Sequence, residues 1–159
     1  MIIKIDTKNI NVTNAIAGLI NSAFETGINP AWFKVKSLKA GGFLDAAFAD
    51  GELPTPSGEK PRTDWTLGAC LYDHDAQEDV TAMIELTPEI AVNRWTAYVS
   101  TGNGAFTQRV FAFLVYLHLL SVRGSGDLSE TVLMEWYEPD GCHDDAMAQI
   151  AIGEDIVFG

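Results

Sequence analysis

The fold of this chain is decided by residues 65–86, which read WTLGACLYDHDAQEDVTAMIEL. Residues 65–72 and 80–86 are two short runs of β-forming and apolar residues, and the connection between them is polar. Two such runs with a polar connection predict an antiparallel hairpin. Thr87 and Pro88 follow directly and predict the start of a helix, because threonine caps helix N-termini and proline suits the first helical position. A hairpin that leads into a helix is therefore the centre of the predicted fold.

Further elements are predicted on both sides of this hairpin. Apolar residues recur at helical spacing over residues 12–26, and period-two alternation predicts a strand over residues 32–38. The remaining predicted elements are a strand at 1–6 and helices at 88–100, 107–122, 128–137 and 144–152. The run from Val110 to Val122 is apolar on nearly all sides, so the helix at 107–122 is predicted to be the central core helix.

The order of these elements predicts the fold class. Helices and strands do not alternate regularly, which favours an α+β fold over a doubly wound one. We therefore predict a single globular domain over residues 1–159, in which a small antiparallel sheet packs against about four helices. Residues 45–63 contain three prolines and scattered charges, and they are predicted to form a flexible loop.

The composition of the chain disfavours several classes of function. The chain has 159 residues, with 22 Asp and Glu against 10 Lys and Arg, and its formal net charge is −12. Direct nucleic-acid binding is not expected, because neutralising phosphates requires basic residues. Lys4 and Asp6 break the apolar start, so no leader peptide is predicted. The 13-residue run from Val110 to Val122 is shorter than the roughly 20 apolar residues that cross a bilayer. We expect a cytoplasmic protein that contacts no membrane.

Two clusters hold residue types that bind metals. The first contains Asp73, His74 and Asp75, and the second contains His143 beside a cysteine and two acids. Zinc accepts such ligands, but neither cluster has the ligand spacing of a zinc or calcium motif. The favoured interpretation is an acidic turn and an acidic helix start, with a metal site as the alternative. Cys70 lies inside a strand run and is predicted to be a core residue. No catalytic residue and no cofactor is predicted.

A small-molecule cleft is a further hypothesis. Trp32 and Trp65 lie at the ends of predicted elements, where tryptophans often line clefts. Asn103 sits in a glycine-rich turn before a helix, Arg109 lies one turn into that helix, and such turns can bind an anion through backbone N–H groups. Together these four residues predict a cleft for a nucleotide-like ligand. The favoured interpretation is that the tryptophans are core residues and that the glycines form a helix–helix turn.

The acidic residues are concentrated near the C-terminal end. Arg123 is the last basic residue, and the 36 residues after it carry nine acids. Burying an unpaired carboxylate costs on the order of several kcal/mol, so the acids around the turn at residues 139–141 should face solvent on one side. We predict a partner-binding acidic face made of Glu135, Glu138, Asp140, Asp144 and Asp145. The alternative is a face that only keeps the protein soluble.

Two segments, one near each end of the chain, resemble segments of a known group of proteins. Residues 23–29, AFETGIN, precede Trp32, and residues 149–159 read QIAIGEDIVFG. Together they resemble a group of short, acidic, largely uncharacterised phage and prophage proteins. In that group an AFEGG-x-N-Y-W-like helix end opens the chain, and a Gly-Glu-x-Val-Tyr/Phe-Gly-like tail closes it. This chain departs from the pattern at Thr26, where the group has glycine, and at Trp32, where the aromatic residue is displaced. The resemblance implies a phage accessory protein and no particular activity.

These observations favour one function over two alternatives. The leading hypothesis is a non-enzymatic phage accessory protein that acts by binding in the bacterial host cytoplasm. It would be an acidic inhibitor or modulator of a host protein, such as a defence-system or nucleic-acid enzyme. The alternatives are a small nucleotide-like ligand-binding protein and, less favoured, a metal-dependent enzyme. A homo-oligomer is a further expectation, in which the apolar tail at residues 156–158 covers a second subunit. The favoured interpretation is that this tail docks on its own core.

Overall fold

The computed structural model describes residues 4–26, 32–39, 65–102, 106–123, 141–154 and 156. The helices in these ranges are α1 (Ile10–Thr26), α2 (Pro88–Thr101), α3 (Thr107–Arg123) and α4 (Gly141–Gly153). The strands are β1 (Phe33–Lys39), β2 (Thr66–Asp73), β3 (Glu78–Asp79) and β4 (Ile84–Leu86). A small antiparallel sheet packs against the helices, which confirms the predicted α+β class.

The central strand of the sheet is β2, which pairs antiparallel with β1 on one edge and with β3 and β4 on the other. The predicted hairpin is confirmed, since Leu67 pairs with Leu86 and Ala69 pairs with Ile84. The predicted strand at 80–86 is wrong in its first half, because residues 80–83 leave the ladder between β3 and β4. The Leu71 N–H donates to the Thr81 hydroxyl at 3.0 Å, so a side chain replaces the backbone acceptor that a continuous strand would supply.

Helix α2 begins and ends at the signals that the sequence carries. The Thr87 hydroxyl accepts the Ile90 N–H at 3.2 Å, and Pro88 occupies the first turn. Gly102 has a φ of 67° and donates its N–H to the Val99 carbonyl at 3.1 Å. Only a residue without a Cβ adopts this left-handed conformation at little cost, so glycine ends the helix here.

The most enclosed helix is α4, and this corrects the prediction that the helix at 107–122 is central. All nine residues from Asp144 to Ile152 are buried. Helix α4 contacts α1, α2, β2 and β4, so it lies between the sheet and the other helices. Helix α3 packs on α1 and α2, and Val122 near its end is 60% exposed. Small alanine side chains at 146, 148 and 151 let neighbours approach α4 closely on several sides.

Several predicted features fall partly or wholly outside the described residues. The helix at 128–137 and the loop at 45–63 lie outside them. Residues 4–6 are described and are not in a strand, although a strand at 1–6 is predicted. Ile156 packs against the core cluster, as the docked tail requires, whereas residues 157–159 lie outside the described set. No helix in the described ranges is both long and apolar enough to cross a membrane.

Replacing Trp95 with phenylalanine tests how α4 is held. The Trp95 indole N–H donates to the Met147 carbonyl at 2.9 Å in a fully buried position. We expect Trp95→Phe to lower the free energy of unfolding by about 1–2 kcal/mol, because it removes a buried hydrogen bond and part of a buried ring. Urea denaturation followed by circular dichroism measures this change. The exposed control Val122→Ala should cost less than about 0.5 kcal/mol, and equal losses in both variants would contradict the role of this bond.

Candidate functional site

The predicted acidic face is not exposed where the structure describes it. Asp144 is 5% exposed and Asp145 is 6% exposed, so the prediction that they face solvent is wrong. Both residues lie on α4, whose enclosure on all sides carries them inward with the apolar residues. Glu135, Glu138 and Asp140 lie outside the described residues. The exposed acidic residues of the described part of the chain therefore lie on other elements.

Asp145 is a buried carboxyl group with one unpaired oxygen. Its Oδ2 accepts a hydrogen bond from Gln149 Nε2 at 2.9 Å, one helical turn further along α4. Its Oδ1 is buried and accepts no hydrogen bond from the residues that the structure describes. Burial raises the pKa of the Asp145 carboxyl above its usual range, while the bond from Gln149 acts in the opposite direction. Burial thus makes the carboxylate form of Asp145 less favourable here than it is in solvent.

The residues of the predicted ligand cleft do not converge. Trp65 is fully buried, and its indole N–H donates to the Thr13 carbonyl at 3.3 Å, so it belongs to the core. Trp32 is half-buried beside Tyr72, whose N–H donates to the Trp32 carbonyl at 2.9 Å. These tryptophans therefore lie at opposite ends of β2, roughly 23 Å apart along an extended strand. Arg109 is half-buried in the first turn of α3, and Asn103 lies outside the described residues.

Asp73, His74 and Asp75, the first candidate metal cluster, lie at the β2–β3 turn and have structural roles there. Asp73 Oδ1 accepts the N–H groups of Asp75 and Ala76 at 2.9 and 3.1 Å, which is how an aspartate stabilises a tight turn. The His74 ring packs edge-on against Tyr72, with ring centres 4.9 Å apart. Among the described side chains, no group of three or more His, Cys, Asp or Glu could hold a metal ion. The side chain of His143 lies outside this described set.

One face of the central strand β2 holds a buried cysteine. Cys70 is fully buried, and its Sγ lies 3.9 Å from the Lys34 carbonyl oxygen of the paired strand. Lys36 Nζ lies 3.4 Å from Asp79 Oδ2 on the same face. Burial raises the pKa of the Cys70 thiol, and the neighbouring Asp79 raises it further. A buried thiol with a raised pKa is a poor nucleophile, which supports the prediction that Cys70 is a core residue.

A surface that the sequence did not indicate lies where the second run of the hairpin is interrupted. Val80 is 42% exposed and Met83 is 52% exposed, and both belong to the segment between β3 and β4. Glu78 and Asp79 precede this segment, Glu85 follows it, and all three acids are exposed, with Asp79 paired to Lys36. We call this surface the hairpin face; it consists of Glu78, Asp79, Val80, Met83 and Glu85. It places exposed apolar side chains between acids.

A groove adjoins the hairpin face at Met83 and Glu85. It has a volume of about 650 Å³, and its walls are residues 81–85, Ile90, Arg94 and residues 152–154. Arg94 donates to the Ile152 carbonyl at 2.8 Å and lies 3.6 Å from Glu154 Oε1, so its charge is already paired within the wall. Ile84, Ile90 and Ile152 supply apolar side chains, whereas Glu85 and Glu154 are exposed at the rim. The groove is thus apolar inside and acidic outside.

The signal for this surface is present in the sequence but is ambiguous. Residues 80–86 contain four large apolar side chains, and a continuous strand would direct alternate ones to the core. Residues 80–83 leave the ladder between Asp79 and Ile84 instead, and Val80 and Met83 are exposed there. No family model, curated protein or solved structure matches the chain. The function is therefore inferred from the geometry and charge of these residues.

Replacing Asp145 with asparagine tests the buried carboxyl group. The pKa of Asp145 is higher in the folded protein than in the unfolded chain, where it is about 3.9. Below that pH the group does not destabilise the wild-type fold, and as the pH rises above it the wild-type protein loses stability. We expect Asp145→Asn to have a higher Tm than the wild type at pH 7 and a similar Tm at pH 3.5. Thermal melts across this pH range measure the difference. The exposed control Asp75→Asn should follow the wild-type profile, and an unchanged Tm difference between the two pH values would contradict a raised pKa.

Proposed function

We propose that this chain is a non-enzymatic binding protein whose hairpin face recognises a basic and apolar surface of a partner protein. The observation that carries the proposal is the exposure of Met83 and Val80 beside the groove, within a rim of acidic side chains. Exposed apolar groups that cluster next to a groove and are rimmed by polar residues are typical of protein–protein interfaces. The partner's apolar side chains would fill the groove, and its basic side chains would face the acidic rim.

The charge of the whole chain supports a basic partner. The net charge of −12 attracts positively charged surfaces over distances comparable with the Debye length, which is about 8 Å at physiological ionic strength. Arg94, the basic residue among the described residues of the groove wall, is engaged by Ile152 and Glu154. The groove therefore presents little positive charge of its own, and electrostatic steering would act through the acids.

The resemblance to phage accessory proteins adds a class of partner to this proposal. Within it, the chain is an inhibitor or modulator of a host protein in the bacterial cytoplasm. A defence-system or nucleic-acid enzyme is the favoured partner, because an enzyme that binds phosphates carries the basic surface that an acidic protein recognises. The nucleotide-like alternative loses support, since Trp32 and Trp65 lie at opposite ends of β2.

Neutralising two acids on the hairpin face tests the proposal. A tagged chain captures a partner from bacterial lysate, and biolayer interferometry then measures association with that purified partner. The double variant Glu78→Gln/Glu85→Gln changes the net charge from −12 to −10. We expect its association rate to fall about 3- to 10-fold at low salt, because rim charges act mainly on the rate of encounter. Its Tm should stay close to that of the wild type, because both side chains are exposed.

A matched control separates the hairpin face from net charge. The variant Ser100→Lys/Gln108→Lys also has a net charge of −10, and both positions are exposed on α2 and α3. Ser100 lies ten residues beyond Ile90, roughly 15 Å along the helix from the groove. We expect this control to associate at nearly the wild-type rate. An equal loss in both variants, or no loss in either, would argue against recognition through the hairpin face.

A further inference from the structure

The direction of the backbone groups in β2 shows which way β4 faces. The Leu71 carbonyl accepts the Val80 N–H at 2.9 Å, and the Leu71 N–H donates to Thr81 Oγ1 at 3.0 Å. Both backbone groups of Leu71 therefore point towards the edge that holds β3 and β4. Alternate residues of a strand point the same way, so Ala69 and Leu67 also direct their backbone groups to that edge. Their partners there are Ile84 and Leu86.

Within the described residues, this register leaves one edge of β4 without a paired strand. Ile84 and Leu86 turn their backbone groups towards β2, so Glu85 between them turns its N–H and C=O away from the sheet. Within the described residues, β4 pairs only with β2, and no hydrogen bond reaches the backbone of Glu85 from another element. An unpaired strand edge offers hydrogen-bonding groups to any extended chain that comes alongside.

The surroundings of this edge select the chemistry of an added strand. The groove lies beside residues 81–85, with Ile90 and Ile152 in its opposite wall. In an added strand, successive side chains would point to opposite faces, so one set would enter the apolar groove. The other set would lie near exposed acids such as Glu85, where basic side chains are favourable. Alternating apolar and basic side chains match both faces.

We propose that an extended segment of the partner protein, with alternating apolar and basic side chains, joins the sheet by pairing with the free edge of β4. This inference rests on the proposed function and adds the mode of recognition, which is strand addition. Charge argues against a second copy of this chain at the same edge. Antiparallel pairing of two β4 strands would bring the two Glu85 side chains close together between molecules that each carry a net charge of −12.

The short, acidic edge is consistent with this selectivity. Strand β4 has only three residues and an exposed glutamate at its centre. Short edges and charged side chains are the usual protection against uncontrolled strand pairing. The same glutamate attracts a basic segment, so the edge would reject copies of this chain and accept a partner of opposite charge.

A model peptide tests strand addition directly. The probe is a fluorescein-labelled ten-residue peptide of alternating lysine and valine, and its control is the same peptide with alternate residues in the D configuration. Both peptides carry the same charge, but the control cannot form a regular strand. We expect the L peptide to bind the wild-type protein about tenfold more tightly than the control in fluorescence anisotropy at 150 mM salt, the ionic strength at which surface charges are largely screened. Equal affinities would overturn strand addition.

A proline at position 85 removes the outward N–H without removing a bond to β2. Proline is tolerated on an edge strand where its nitrogen faces solvent, so the fold should survive, and circular dichroism checks this. The matched variant Glu85→Gln keeps the N–H and removes only the charge. We expect Glu85→Pro to bind the L peptide at least about threefold more weakly than Glu85→Gln, since one hydrogen bond is lost. Identical affinities of the two variants would overturn the proposal.

A further measurement covers the case in which Glu85→Pro does not fold. The L peptide methylated on alternate backbone nitrogens is added to the wild-type protein, in two versions that block opposite edges of the peptide. Binding lost with one version and kept with the other supports strand addition, and equal binding overturns it.

Concentration-dependent dimerisation of the wild type that Glu85→Gln strengthens would assign the edge to a second copy and overturn the partner segment. If strand addition fails while Glu78→Gln/Glu85→Gln still slows capture, the proposed function stands alone.

Discussion

The enclosure of helix α4 is the constraint around which the described structure is arranged. This helix touches α1, α2, β2 and β4, and every residue from Asp144 to Ile152 is buried. Two of its backbone carbonyls also receive side-chain donors from α2, from Trp95 in the middle and from Arg94 at the end. Apolar burial and directional hydrogen bonds therefore fix the same helix together. The groove beside β4 follows from this position, because the end of α4 forms one of its walls.

The parts of the fold with local signals were predictable from sequence, and the enclosure of α4 was not. Thr87 and Gly102 mark the ends of α2 through their own side chain and backbone conformation, which a short window of sequence contains. Helix α4 contains two acids and a glutamine that are buried by packing against elements distant in sequence. A helix covered on all sides needs no polar stripe, so its periodicity gives little indication of which residues face water.

The candidate site was harder to predict than the fold, for a reason specific to β structure. A shift of one residue in a strand moves every side chain to the other face. The exposure of residues 80–83 therefore depends on where pairing with β2 stops and resumes. It stops at Asp79 and resumes at Ile84 with the register moved by two residues, and Val80 and Met83 between them are exposed. The prediction that the tryptophans line a ligand cleft was wrong for a different reason. The indole of Trp65 finds its acceptor inside the core, at the Thr13 carbonyl, so nothing requires it to face a ligand.

The burial of Cys70 has a consequence for how the sheet can be observed in solution. Its sulfur lies against the Lys34 carbonyl and has no exposed surface, so a thiol reagent reaches it only after the groups that cover it move aside. In a chain whose other cysteine, Cys142, is replaced by serine, the rate of thiol modification would measure how often this opening occurs. Local openings of this kind have free energies between zero and that of global unfolding. The Cys70 thiol thus reports on local opening of the sheet where β1 pairs with β2, close to the ion pair between Lys36 and Asp79.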